Sequence, residues 1–258
     1  MISKALYRKI ELKYGGVASW AIWRDASDRP KSNISDMSVF DQNVNPNLFD
    51  CLKPNIVMVA LNFAREVSFV LPFSNFHDPN PHGNDFKIRF AFKDTPFYGA
   101  YMTDILKNLP MISSKMVRSY LRKNPDVLEQ NIKTFVAELK FIGAKNPIIL
   151  AFGADAYKIL KQNLDPANYR QILKLPHFSY QISKENYRKE VHDEIRSALK
   201  IVSSNTEYFA QVVETIDAYS ETLTRIDTDL KEQDSIQLDE MRRSLSKLLN
   251  VVDKLSNT

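Results

Sequence analysis

Short apolar runs of strand length alternate with stretches of helical period through most of the chain. Residues 56–61 (IVMVAL) are apolar and rich in Val and Ile, with Pro54 before them and polar chain after. Such a run predicts a strand buried on both faces of a parallel sheet. Residues 98–108 (YGAYMTDILKN) predict a second strand that leaves Thr103 and Asp104 at its end, residues 147–153 (PIILAFG) a third, and residues 171–175 (QILKL) a fourth. Helical spacing covers 85–93, 113–123, 126–142, 154–164 and 184–202, and a short basic helix over 3–14 is ended by Gly15 and Gly16. In 126–142 the apolar positions include Ile132, Phe135, Val136 and Leu139, three and four apart. The alternation predicts an α/β fold, a doubly wound three-layer αβα sandwich whose central parallel sheet has about four strands, with loops collected at one sheet edge.

Three stretches fall outside that rhythm. Trp20 and Trp23, in ASWAIWRD, are expected to pack in or beside the core, and 25–54, punctuated by Pro30, Pro46 and Pro54, reads as a loop with short helical turns. Residues 66–85 carry Phe69, Phe73, Phe76, His77, His82 and three prolines. A connection that long without structure of its own is usually functional. Residues 203–258 are patterned as an amphipathic helical hairpin that would pack on the body, dimerise or bind a protein partner. The expected organisation is thus a domain over 1–202 followed by that helical pair.

Charge separates the same two parts. Residues 1–202 hold 29 Lys and Arg against 20 Asp and Glu, whereas 203–258 hold 6 against 11, so the whole-chain value of +4 conceals a basic body and an acidic tail. A basic body suits a polyanion, because each phosphate it neutralises releases counterions. One cysteine, Cys51, excludes an internal disulfide and any site that needs several thiolates. His77, Asp78 and His82 could be written as ligands, but no third strong partner has metal-like spacing, so neither metal nor other cofactor is expected. The N-terminus has no apolar signal segment and no run nears the ~20 residues of a membrane span, so a cytoplasmic, membrane-free protein is expected.

The strand ends supply the candidate chemistry. Asn62 follows the first strand, Asp104 ends the second and HFS, residues 177–179, follows the last; in an open α/β sheet these ends share the edge where ligands bind. ALNFA (60–64), YMTDILK (101–107), PIILAFGADAYKIL (147–160) and HFS stand in the order of the motifs of the uracil-DNA glycosylase superfamily, which the chain resembles over roughly residues 50–202. There the first motif reads like GINPG or GQDPY, the second ends a strand in TN, and the last is HPS. The resemblance implies a base flipped out of double- or single-stranded DNA into the pocket and cut from its sugar. Asn62 would orient the attacking water; His177 would donate to the pyrimidine O2 as charge develops there. Ser179 would hold a phosphate and Arg65 would also contact DNA. For His177 a purely structural role remains open.

Two departures from the family bear on the base. The family's asparagine both donates and accepts, whereas an ionised Asp104 only accepts, which suits the N4 amino group of a cytosine and repels the O4 of uracil. The alternative for Asp104 is a cap on the following helix. Ala64 replaces a tyrosine that closes the space beside C5, leaving room for a C5 substituent. Phe76, with Phe73 in reserve, would stack on the base, although aromatics of such a loop also fill core. Together these features resemble phage-defence DNA glycosylases acting on C5-modified cytosine, for example glucosylated hydroxymethylcytosine, by a monofunctional, water-using reaction. Against this stand a uracil or hypoxanthine repair glycosylase and a non-catalytic DNA-binding scaffold.

Overall fold

The structure, a computed structural model, describes residues 2–62, 71–80, 82–107, 109–111 and 113–203. Met1–Glu194 forms one compact unit. The helical hairpin expected over 203–258 lies outside the described residues but for Ser203. A central five-stranded sheet is assembled from β1 (Ser19–Trp20), β2 (Lys53–Asn62), β3 (Ala100–Leu106), β4 (Ile148–Phe152) and β5 (Gln171–Leu175), in the order β1-β3-β2-β4-β5. β2 to β5 are mutually parallel, and β1 closes one edge antiparallel to β3.

The sheet corrects the expected count by one strand. β1 is only Ser19 and Trp20, opposite Met102 and Tyr101, and two residues are too few to show a period of two. Trp20 is fully buried there, its ring edge-on to Tyr101 at a centroid distance of 5.0 Å. The second expected strand is shorter at both ends. Tyr98 and Gly99 belong to the turn before β3, where Gly99 has φ of +89° and a Cβ would lie 1.8 Å from the Cys51 carbonyl oxygen. Gly99→Ala is therefore expected to lower the urea midpoint markedly, by clash and by backbone strain together.

Helices join and cover the strands. They are α1 (Lys4–Tyr14), α2 (Leu48–Cys51), α3 (Asp85–Phe92), α4 (Ser114–Lys123), α5 (Pro125–Phe141), α6 (Ala154–Asn163) and α7 (Lys184–Ser203). α5 carries the period seen in the sequence, with Ile132, Phe135 and Leu139 buried along one stripe. Alternate residues of a strand face opposite sides, and β3 uses both. Tyr101 and Thr103 turn to α5, where each hydroxyl donates to Glu138 Oε1, at 2.8 and 2.9 Å. Asp104 turns the other way.

On that second side α3 and α7 are tied together. Arg188 and His192 of α7 approach the carbonyl oxygens of Phe90 and Ala91 at 3.0 and 2.8 Å, and Phe92 meets Phe152 of β4 edge to face. The order of the parallel strands fixes where a cleft opens. The chain enters the parallel part of the sheet at β2, steps to one side as β3, then returns to the far side of β2 as β4 and β5. The connections leaving β2 and β4 diverge at their C-terminal ends, the place where open α/β sheets bind ligands.

Candidate functional site

A pocket of about 490 Å³ lies at that edge, and seven separate stretches of chain line it. Asn62 ends β2, and its Nδ2 donates to the carbonyls of Leu109 (2.9 Å) and Met111 (2.8 Å) in the segment after β3. Both amide hydrogens are thereby used, which turns Oδ1, an acceptor only, to the other side. Asn62 thus lines the pocket with a fixed orientation.

Asp104 sits within β3, opposite Ala60, and not at the strand end expected from the sequence. The next helix, α4, starts ten residues later behind Ser113, so Asp104 does not cap it. Asp104 is 3% exposed and lines the pocket. Oδ2 accepts from Asn75 Nδ2 at 2.9 Å. Burial raises the Asp104 pKa from 3.8 to about 6, opposed by the Asn75 hydrogen bond and the Lys107 charge and assisted by Glu138 and Asp85. The group is largely an acceptor at neutral pH and becomes a donor as well below about 6.

Asn75 was not foreseen and is the hub of the loop. Its Nδ2 donates to Val17 O and Asp104 Oδ2, both at 2.9 Å, while its Oδ1 accepts the Phe76 N–H at 3.1 Å. Nothing in the sequence beyond a polar residue between two aromatics marks it. Phe76 lines the pocket in a left-handed backbone conformation, φ +64°, a strained choice for a bulky residue and one that clusters at functional sites.

Phe73, the reserve choice for stacking, is corrected by its packing. It has no exposed surface and lies against Tyr7 and Phe40, each at 5.4 Å, away from the residues that line the pocket. Its apolar ring is a core element, and its carbonyl accepts from Ser19 Oγ at 2.6 Å. His77, considered as a metal ligand, is likewise built into the core. Nδ1 stands 2.9 Å from Asn75 O, Nε2 2.9 Å from Ile22 O, and the ring stacks on Trp23. Among the described residues no group of three or more His, Cys, Asp and Glu stands close enough to hold a metal ion.

His177 follows β5. Its Nδ1 accepts from the backbone N–H of Ser179 at 3.1 Å and lies 2.7 Å from the Ser179 hydroxyl. With Nδ1 accepting, the neutral ring carries its proton on Nε2. Burial holds the His177 pKa below the ordinary histidine value, so the ring is neutral at pH 7 and remains a single N–H donor. Ser179 is exposed at the pocket rim and its hydroxyl orients the imidazole. Gly153, with φ of +87°, brings the start of α6 against the same ring; a Cβ there would lie 3.4 Å from His177 Cδ2.

Phe178 completes the apolar wall and was read in the sequence only as the middle of HFS. Its ring stacks on His177 at 4.4 Å and stands edge-on to Phe152 at 5.5 Å and Phe76 at 6.3 Å. Asp85, at the start of α3, adds a second carboxylate, whose Oδ2 accepts from the Asp78 N–H at 2.9 Å. Ala64 and Arg65 lie outside the described residues. The pocket therefore joins a fixed acceptor, a buried carboxylate, a neutral imidazole and an aromatic wall. That set can hold a planar heterocycle by its face and by its polar edge. No family model, no curated protein and no solved structure matches this chain.

Proposed function

We propose that the protein is a monofunctional DNA glycosylase that hydrolyses the N-glycosidic bond of a flipped cytosine bearing a C5 substituent, such as glucosylated hydroxymethylcytosine of phage DNA, and leaves an abasic site. One observation carries the reading: Asn62, Asp104, Phe76 and His177, from four different parts of the chain, line a single pocket at the C-terminal edge of the sheet. The proposal includes a doubly wound three-layer sandwich, which the strand order supports, as do the contacts made by α5 and α3 with opposite sides. It also includes a cytoplasmic setting and a role for 203–258 in dimerisation or partner binding. No helix among the described residues is long and apolar enough to cross a membrane.

The base stacks against Phe76, and Asp104 Oδ1 accepts from its N4 amino group. As the C1′–N1 bond breaks, its electron pair moves into the ring, and His177 Nε2–H donates to O2, where the negative charge collects. The sugar becomes oxocarbenium-like, and a water held by Asn62 Oδ1 adds to C1′, releasing its proton to solvent or to the departing base. An amide is no strong base, so Asn62 acts by orientation. No lysine lines the pocket among the described residues, which favours water over an amine as nucleophile.

A second reading draws on the raised pKa of Asp104. In its neutral form the carboxyl donates and accepts as an amide does, and would admit uracil at acidic pH. The test incubates purified protein with genomic DNAs that contain cytosine, C5-glucosylated cytosine or uracil, and identifies released bases by mass spectrometry. Release of the modified cytosine is expected, with Asn62→Ala slower by about 100-fold, the scale of a misplaced reactant. Release of uracil alone at neutral pH would transfer the protein to repair. DNA binding without release of any base would favour a scaffold.

A further inference from the structure

We propose that the outer face of α4 is a docking track for the phosphodiester backbone of the DNA whose nucleotide enters the pocket. The inference rests on the glycosylase reading and adds a surface to it. α4 holds Lys115, Arg118, Arg122 and Lys123 and no acidic residue. Lys115, Arg118 and Arg122 are spaced by three and four, so they form one stripe along a helix about 15 Å long. Val117 and Leu121, on another side, are buried and hold the helix to the body. The stripe therefore stays in solvent with a fixed direction.

Its position and its lack of compensation separate it from an ordinary solvated charge run. Ser114, the first residue of α4, lines the pocket, so the cations begin at the rim. Arg118 is paired with Asp155, itself a lining residue, which ties the helix to the mouth of the pocket. Lys115, Arg122 and Lys123 have no ion pair among the described residues. The nearest following acids begin α5, and Glu129 there is taken by Lys133. Lys115 and Arg122, both uncompensated and about 10 Å apart along the helix, leave positive charge running from the rim, which suits the phosphates of a nucleic-acid strand. The contacts would position DNA without reading its sequence.

The experiment measures fluorescence anisotropy of a short labelled duplex, and of its single strand, over a series of salt concentrations. Lys115→Ala with Arg122→Ala removes two track cations. Lys4→Ala with Lys9→Ala, on exposed positions of α1, removes the same charge elsewhere. α1 packs through Tyr14 on Phe141, at the far end of α5 from α4, which makes it a distant control. The track variant is expected to lower the slope of log K against log salt by about two, near 0.9 for each phosphate left without its cation, and the control to keep the parent slope. An unchanged slope in the track variant, or an equal loss in the control, overturns the inference and leaves the glycosylase reading standing. A parent that binds neither form of DNA at any salt overturns both.

Discussion

Asp104→Asn is expected to melt at a higher temperature than the parent protein and, on the proposed glycosylase activity, to lose release of cytosine-type bases. The stability half follows from linkage. The folded carboxyl, with its pKa raised from 3.8 to about 6, keeps a proton that the unfolded chain has given up, so parent stability falls as pH rises through that window. Above about 6 the full penalty is in place, about 3 kcal/mol. Asparagine has the same shape and no charge to bury, and its Oδ1 accepts the Asn75 bond in place of the carboxylate. Urea titrations should show the variant ahead at pH 7.5 and the gap closing towards pH 4; a variant less stable at pH 7.5 would refute the account.

The activity half follows from the same hydrogen bond. Because Asn75 donates to position 104, the amide introduced there must turn its NH2 group to the pocket. Donor then faces donor at the N4 amino group of cytosine, which costs about 1–3 kcal/mol, or roughly 10- to 100-fold in release. The same NH2 suits the O4 of uracil, so uracil release should appear. Gain of stability with loss of function is the trade expected where a charge is buried for binding.

Lys107→Met should be among the most destabilising single changes, at about 3–5 kcal/mol. Lys107 Nζ lies 2.6 Å from Glu138 Oε2, with side-chain exposures of 8% and 0%. It also donates to Thr103 Oγ1 at 2.7 Å and to the Asp104 carbonyl at 2.6 Å. Removing the ammonium leaves the buried Glu138 carboxyl without its partner inside the sheet layer, and removes the brace from the backbone that carries Asp104. A further Glu138→Gln change keeps an acceptor for Tyr101 and Thr103 and discards the stranded carboxyl. The double variant should recover more than half of the loss in urea unfolding. A single variant as stable as the parent would show that the pair contributes nothing.

Much of this arrangement is legible in the chain because its strands are buried on both faces. Such strands become continuous apolar runs, as in β2 and β4; these two, and β5 with its exposed Lys174, lie within a few residues of the expected positions. Asn62, Asp104 and His177 were legible as strand-end residues, although Asp104 proved to be inside its strand, in a fully buried run where a charge breaks the apolar pattern. Phe76 ranks ahead of Phe73 for stacking without any sequence signal that one is core. Each is an aromatic with positive φ in one loop, and only packing sends one into the core and the other to the pocket. Asn75 was invisible because its importance lies in two bonds, to Val17 and Asp104, in parts of the chain that sequence spacing does not bring together.

The loop that shapes the pocket also closes the exposed margin of the sheet. Around β1 it meets the backbone of the first chain segment at Val17 O through Asn75 and at Ile22 O through His77, and its own Phe73 O is taken by Ser19. An uncovered strand margin is a template on which other chains pair and aggregate. Substitutions at Asn75 that reshape the pocket would therefore strip that cover as well. Adaptation of the pocket to a new ligand has a freer route through Tyr180, which lines it and is 52% exposed, because its side chain can change without uncovering the margin.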